Sequence, residues 1–187
     1  KKLWHKKFNK NELQVLDVKF NQKKAFEKIS KKSKKYIFRC FDIAIDLIKK
    51  NKVIGLINCP ISKESLFQNK HQGITEFIAK KFKSKGKEVM LIYNKRLSVS
   101  PLTTHIPLKK VYKNINKFKI INSAKTINNF YRKFFKKKAK IAILGFNPHN
   151  FSETEKSEEK KIIIPAINTL KKLKINVVGP ISPDSSF

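Results

Sequence analysis

The sequence predicts an α/β fold, a mixed and mostly parallel sheet sandwiched by helices. Three observations lead there. Short, continuously apolar runs with β-branched residues, "VIGLIN" (53–58), "IAILGF" (141–146) and "INVVGP" (175–180), alternate with longer stretches of helical period. Strands buried on both faces read this way. "EVMLIY" (88–93) is joined by "NK" to "RLSVSPLT" (96–103), a hairpin pattern that makes the sheet mixed. Hydrophobic residues make up 40% of the chain, enough to build a core.

The elements follow in order. Residues 1–32 are basic and less well defined, with one apolar alternation at "LQVLDVKF" (13–20). From Tyr36 the pattern turns helical: Ile37, Cys40, Phe41, Ala44, Leu47 and Ile48 keep the i, i+3, i+4 rule, and Lys49 and Lys50 suit the C-terminus. "VIGLIN" reads as a buried strand closed by Pro60. After a loop through "QNKHQG" (68–73), "TEFIAKKF" starts a helix with Thr75 as N-cap and Glu76 in its first turn. The hairpin follows. Residues 118–135 place Phe118, Ile121, Phe130, Tyr131 and Phe134 at helical spacing, as a core-facing stripe. "IAILGF" is a strand. "EEKKIIIPAINTLKKL" (158–173) is a helix that must accommodate Pro165 by kinking. "INVVGP" is the last strand.

The net charge is +31, which raises a nucleic-acid reading. Only Arg39, Arg96 and Arg132 are arginines, however, and arginine is the residue suited to bidentate phosphate and base contacts. Lysine is spread through almost every segment beside many Asn, Ile and Phe, all residues of A/T-rich codons. Composition alone therefore accounts for the charge, and we expect no specific nucleic-acid partner. No apolar run spans a bilayer, and "KKLWHKKFNK" has no signal-peptide core, so no membrane partner is expected. Cys40 and Cys59 read as free thiols of a reducing, cytoplasmic setting. The missing initial Met and the stop at "PDSSF" lead us to expect a piece of a longer chain.

In open α/β sheets, ligands bind beyond the carboxyl ends of strands. Three polar, proline-marked loops fall there: "INCPISKE" (57–64), "LTTHIPL" (102–108) and "LGFNPHN" (144–150). Two carry histidines, His105 and His149. A histidine at a strand end is either a hydrogen-bonding loop residue or a metal ligand; two at similar positions suggest a shared site. His5 sits in the basic tail and His71 in a surface loop. Lys63 can attract an anion or simply face solvent. No Walker loop, GxGxxG, GxSxG or HExxH is present.

Taken together, "NCPISKESL", "GITEFIA", "LTTHIPL", "LGFNPH" and "GPISPDSSF" resemble, in order and spacing, the 4-hydroxythreonine-4-phosphate dehydrogenases of pyridoxal phosphate biosynthesis, from about Leu13 to Phe187. The resemblance implies a two-domain fold like that of isocitrate and isopropylmalate dehydrogenases, here partial over 1–187 and incomplete at the C-terminus and the N-terminus. It implies a homodimer, NAD as cofactor and a small phosphorylated substrate. It also implies a divalent metal (Zn, Mg or Co) held by His105 and His149, with the third ligand in a later "HDQG"-like segment. The metal would stabilise charge on the substrate oxygen. Thr75 matches a substrate-contacting threonine. Ile74 departs from the family's histidine and cannot donate a hydrogen bond.

The function implied is oxidation and decarboxylation of 4-phosphooxy-L-threonine to 3-amino-2-oxopropyl phosphate. One alternative is a related dehydrogenase of erythronate or threonate 4-phosphate. Another is a non-catalytic basic nucleic-acid-binding module. The NAD-binding residues and the general base are not identifiable from the sequence.

Overall fold

The computed structural model describes residues 11–22, 24, 26–28, 30–62, 66–67, 73–149 and 157–186. The chain forms two compact units, Lys1–Ile74 and Thr75–Phe187.

The first unit is built on helix α1, Lys31–Lys49. It starts five residues before the expected Tyr36 because Ser30 and Ser33 form a reciprocal capping box. Phe41 and Ile45, four apart, are its buried residues. Lys50 reaches back 2.6 Å to Asp46. The expected strand at 53–58 is absent; the segment is bend and coil, and Ile54 and Ile57 are 90% and 99% exposed. A strand needs a partner ladder for its backbone groups, and no strand lies among the described residues of this unit. Leu56 and Ile61 instead line a cavity of about 530 Å³ with Ile37, Cys40 and Phe41.

Helix α2, Ile74–Lys81, begins at the boundary between the units. Its start corrects the expectation for Thr75. Ile74 is already helical, so Thr75 lies within the first turn, where its hydroxyl is not in an N-cap position.

In the second unit the hairpin contracts to a single antiparallel bridge between Ile92 and Val99. Residues 88–93 therefore do not form the expected strand. Side chains take over backbone groups that a longer ladder would pair. Ser100 Oγ donates to the Met90 carbonyl at 2.7 Å, and Asn94 N–H donates to Ser98 Oγ at 3.2 Å. Asn94 also accepts from Arg96 N–H at 2.9 Å, shaping the turn read at "NK".

Helix α3, Leu108–Asn114, has no buried residue. Helix α4, Lys117–Phe135, is capped by Asn116, which accepts from Lys119 N–H at 2.9 Å. Its buried stripe is Ile120, Ala124 and Asn128, not the aromatic positions. Phe118 is 63% exposed. Phe130, Tyr131 and Phe135 pack on one another, Tyr93 stacks on Phe135 at 5.2 Å, and Tyr131 donates to Ser98 Oγ at 3.2 Å. The aromatic ridge thus seats the hairpin rather than facing the core.

Strand β1, Ile141–Leu144, pairs in parallel with β2, Val177–Ile181. Between them runs a π turn, Glu159–Ile163, that continues into α5, Ile164–Lys172. Pro165 has no N–H and crowds the preceding turn, and the helix opens just before it: Ile164 N–H bonds the Glu159 carbonyl, five residues back. The core joins Ile120 and Ala124 to Ile163, Ala166, Ile167, Leu170, Ile175 and Val177. The register slips between Ala142↔Val178 and Leu144↔Ile181, so β2 carries one extra residue there. Gly179 lies in this bulge, with φ +134°. Among the described residues, no helix is long and apolar enough to cross a membrane.

Candidate functional site

The carboxyl ends of β1 and β2 lead into two short segments that bond each other. Gly145 N–H donates to the Ile181 carbonyl at 2.8 Å, extending the strand pairing into the 145–149 loop. β2 continues into a 3-10 turn, Pro183–Ser185. The Pro148 carbonyl accepts from Asp184 N–H at 3.3 Å. Ser182 Oγ lies 2.8 Å from both the Pro148 carbonyl and Asp184 Oδ1, and its single proton serves either. Asp184 Oδ2 stands 2.9 Å from His149 Nδ1. On the other side of the loop, Glu159 Oε1 accepts from Phe146 N–H at 2.9 Å and from Asn147 Nδ2 at 3.4 Å.

His149 is therefore oriented through Nδ1, leaving Nε2 as the ring nitrogen available to a ligand. A carboxylate on one imidazole nitrogen is the usual outer support of a metal-bound histidine. The donor chemistry here fits a divalent cation of the zinc type. The Ser182 hydrogen bond lowers the Asp184 pKa from its usual 3.8; desolvation opposes this, and the neighbouring His149 adds to it.

His105 is exposed, in the loop before α3. Its φ is +55°. Non-glycine residues rarely adopt this left-handed conformation. Among the described residues five others do, and four of them, Asn51, Lys83, Lys136 and Lys174, end helices, where that geometry is a routine stop. His105 ends no helix. Leu102 anchors its loop to the core. The link to the second loop is Tyr112 of α3, whose ring centroid lies 6.2 Å from that of Phe146.

The structure thus brings His149 together with Asp184 and joins the loop regions of the two histidines through an aromatic contact. Among the described residues, no group of three or more His, Cys, Asp or Glu side chains is arranged to hold a metal. Thr75 is exposed and Ile74 half-buried in the first turn of α2. His5, Lys63 and His71 lie outside the described residues. Sequence reasoning missed Asp184 and Glu159. The signal for Asp184 was present, as the Asp of "GPISPDSSF", but nothing local says that it meets His149. Glu159 fell within the helix expected at 158–173 with no sign of burial in its sequence, yet it is 3% exposed.

The family model for pyridoxal phosphate biosynthetic protein PdxA matches residues 2–187. The chain is 38% identical over 177 residues to a 4-hydroxythreonine-4-phosphate dehydrogenase of Sulfurihydrogenibium sp. (strain YO3AOP1), covering 92% of this chain and 52% of that protein. It is 29% identical over 153 residues to a D-threonate 4-phosphate dehydrogenase of Pectobacterium atrosepticum, covering 80% and 47%. The crystal structure of 4-hydroxythreonine-4-phosphate dehydrogenase from Klebsiella pneumoniae superposes with a TM-score of 0.74 at 26% identity, covering 86% of this chain and 50% of that one. The chain spans about half the length of the curated relatives it matches. With the family model matching nearly the whole chain, the chain belongs to the PdxA family.

Proposed function

We propose that this chain is part of an NAD-linked dehydrogenase that oxidises and decarboxylates 4-phosphooxy-L-threonine to 3-amino-2-oxopropyl phosphate. The observation that carries the reading is the His149–Asp184 pair, at the carboxyl end of a parallel strand pair and within the family match. In this reading His105 and His149 hold a divalent cation, Zn, Mg or Co, with a third histidine beyond Phe187. The cation, when bound, supplies positive charge beside the substrate hydroxyl. Asp184 fixes the His149 ring, and Thr75 helps hold the substrate. The hydride passes to NAD⁺ and CO₂ is released. The whole fold is two-domain and isocitrate dehydrogenase-like, of which residues 1–187 are a part; the enzyme is a cytoplasmic homodimer with no specific nucleic-acid partner.

Ile74 favours a second reading, a dehydrogenase of threonate or erythronate 4-phosphate. Isoleucine offers no hydrogen-bond donor where the family has histidine, and a D-threonate 4-phosphate dehydrogenase is among the relatives. The deciding comparison is kcat/KM of the metal-loaded full-length protein, of which these 187 residues are a part, and of its Ile74→His variant on 4-phosphooxy-threonine and erythronate 4-phosphate. We expect Ile74→His to improve use of the first substrate by about ten- to a hundredfold, the worth of one hydrogen bond to a charged group. A wild type that strongly prefers the second substrate replaces the first reading with the second. No turnover of either with Zn²⁺, Mg²⁺ or Co²⁺ present sinks both.

A further inference from the structure

We infer that Glu159 is a positioning residue for His149, acting through the backbone of the 145–149 loop. The inference rests on the proposed metal role of His149. Three observations support it. Glu159 is 97% buried at the head of the π turn, an unusual place for a carboxylate. Its Oε1 takes two donors from the loop, Phe146 N–H at 2.9 Å and Asn147 Nδ2 at 3.4 Å. Its Oε2 is buried with no hydrogen-bond partner among the described residues. A carboxylate held in this way is not a solvated helix-start charge; its polar contacts go to the loop.

The loop is clamped from two sides. Ser182 and Asp184 hold Pro148 and His149 from β2's end, and Glu159 holds Phe146 and Asn147 from the π turn. Asp184 sets the rotation of the imidazole. Glu159 sets where the backbone that carries it lies. The reach of the side chain matters more than its charge, because both bonds go to a single oxygen.

Two substitutions separate reach from charge. Glu159→Asp keeps the charge and withdraws the oxygen by one methylene; Glu159→Gln keeps the oxygen in reach and removes the charge. Co²⁺ binding to the full-length protein, which carries the third histidine, is measured by calorimetry, with hydrogen exchange at Phe146 as an independent readout of the loop. E159D should bind Co²⁺ about ten- to a hundredfold more weakly, the usual loss when outer support of a ligand is removed, and should exchange faster at Phe146. E159Q, whose oxygen stays in reach of the loop donors, should lose clearly less affinity than E159D. If E159D does not fold, Asn147→Asp tests the same clamp from the loop side, by setting a second carboxylate against Glu159, and should show the same loss. Wild-type Co²⁺ affinity in a folded E159D, or E159Q as impaired as E159D, overturns the positioning role. A full-length wild type that binds no Co²⁺ at all overturns the metal reading instead.

Discussion

Replacing Gly179 with alanine should destabilise the second unit severely, for two separable reasons. A Cβ at this position would lie 2.3 Å from the Ile143 carbonyl oxygen and 3.2 Å from its carbon. Both are backbone atoms of β1, so no side chain can rotate away, and the strands must part until the first distance passes 3.0 Å. Forced overpacking of this kind costs about 1–3 kcal/mol. The backbone at φ +134° is in a region essentially closed to other residues, worth roughly another 1–3 kcal/mol of strain. A loss of about 4 kcal/mol follows, a large share of the roughly 5–15 kcal/mol typical of a domain. Gly86 provides the control. It also has a positive φ, +78°, but a Cβ there meets nothing within 4 Å. Gly86→Ala should therefore lose only about 1–2 kcal/mol from the backbone. Urea unfolding followed by circular dichroism, with equal m values, measures both. If the two variants lose the same amount, the close approach of β2 to β1 contributes nothing and the reasoning is wrong.

The Asp184 pKa is lowered on folding, so its contribution to stability is fully present above the usual 3.8 and is lost as pH falls through the lower folded value. Carboxyl ¹³C titration should place its midpoint below 3.8, and Ser182→Ala, which removes the largest cause, should raise it; a wild-type midpoint at or above 3.8 contradicts the geometry. Asn128 accepts from the buried Ala139 N–H at 3.2 Å. Asn128→Ala leaves that donor unpaired and should cost about 1–3 kcal/mol in the same urea assay; a loss under about 0.5 kcal/mol would show that water reaches the amide.

How much could be read in the residues depended on how local each determinant is. "IAILGF" and "INVVGP" were legible because each run meets the other in parallel, with α5 bridging them. "VIGLIN" is similarly apolar and forms no strand, since composition does not supply a partner. For α4 the helical period was legible but its inward face was not. Small Ala124 and polar Asn128 lie inside, while Phe135 stacks on Tyr93 of the hairpin and Phe130 packs on Phe135. Helix α3, "LKKVYKN", buries no residue and so leaves no amphipathic signature. The His149 loop was legible from the end of β1, whereas the His105 loop was legible only from its motif, since the strand expected before it reduces to one bridge at Val99. Their supports were not: Asp184 and Glu159 reach His149 and its loop only through tertiary contacts.

The left-handed lysines have a consequence for the charge itself. Lys83, Lys136 and Lys174 stand where helices stop, positions that elsewhere favour glycine. The chain has five glycines and 44 Lys and Arg residues. Each such lysine gives up backbone comfort, yet brings an ammonium group to the negative end of a helix, which offsets part of the cost. The charge of +31 is thus partly punctuation. Some of it marks where secondary structure ends, and neutralising those positions would loosen helix termini.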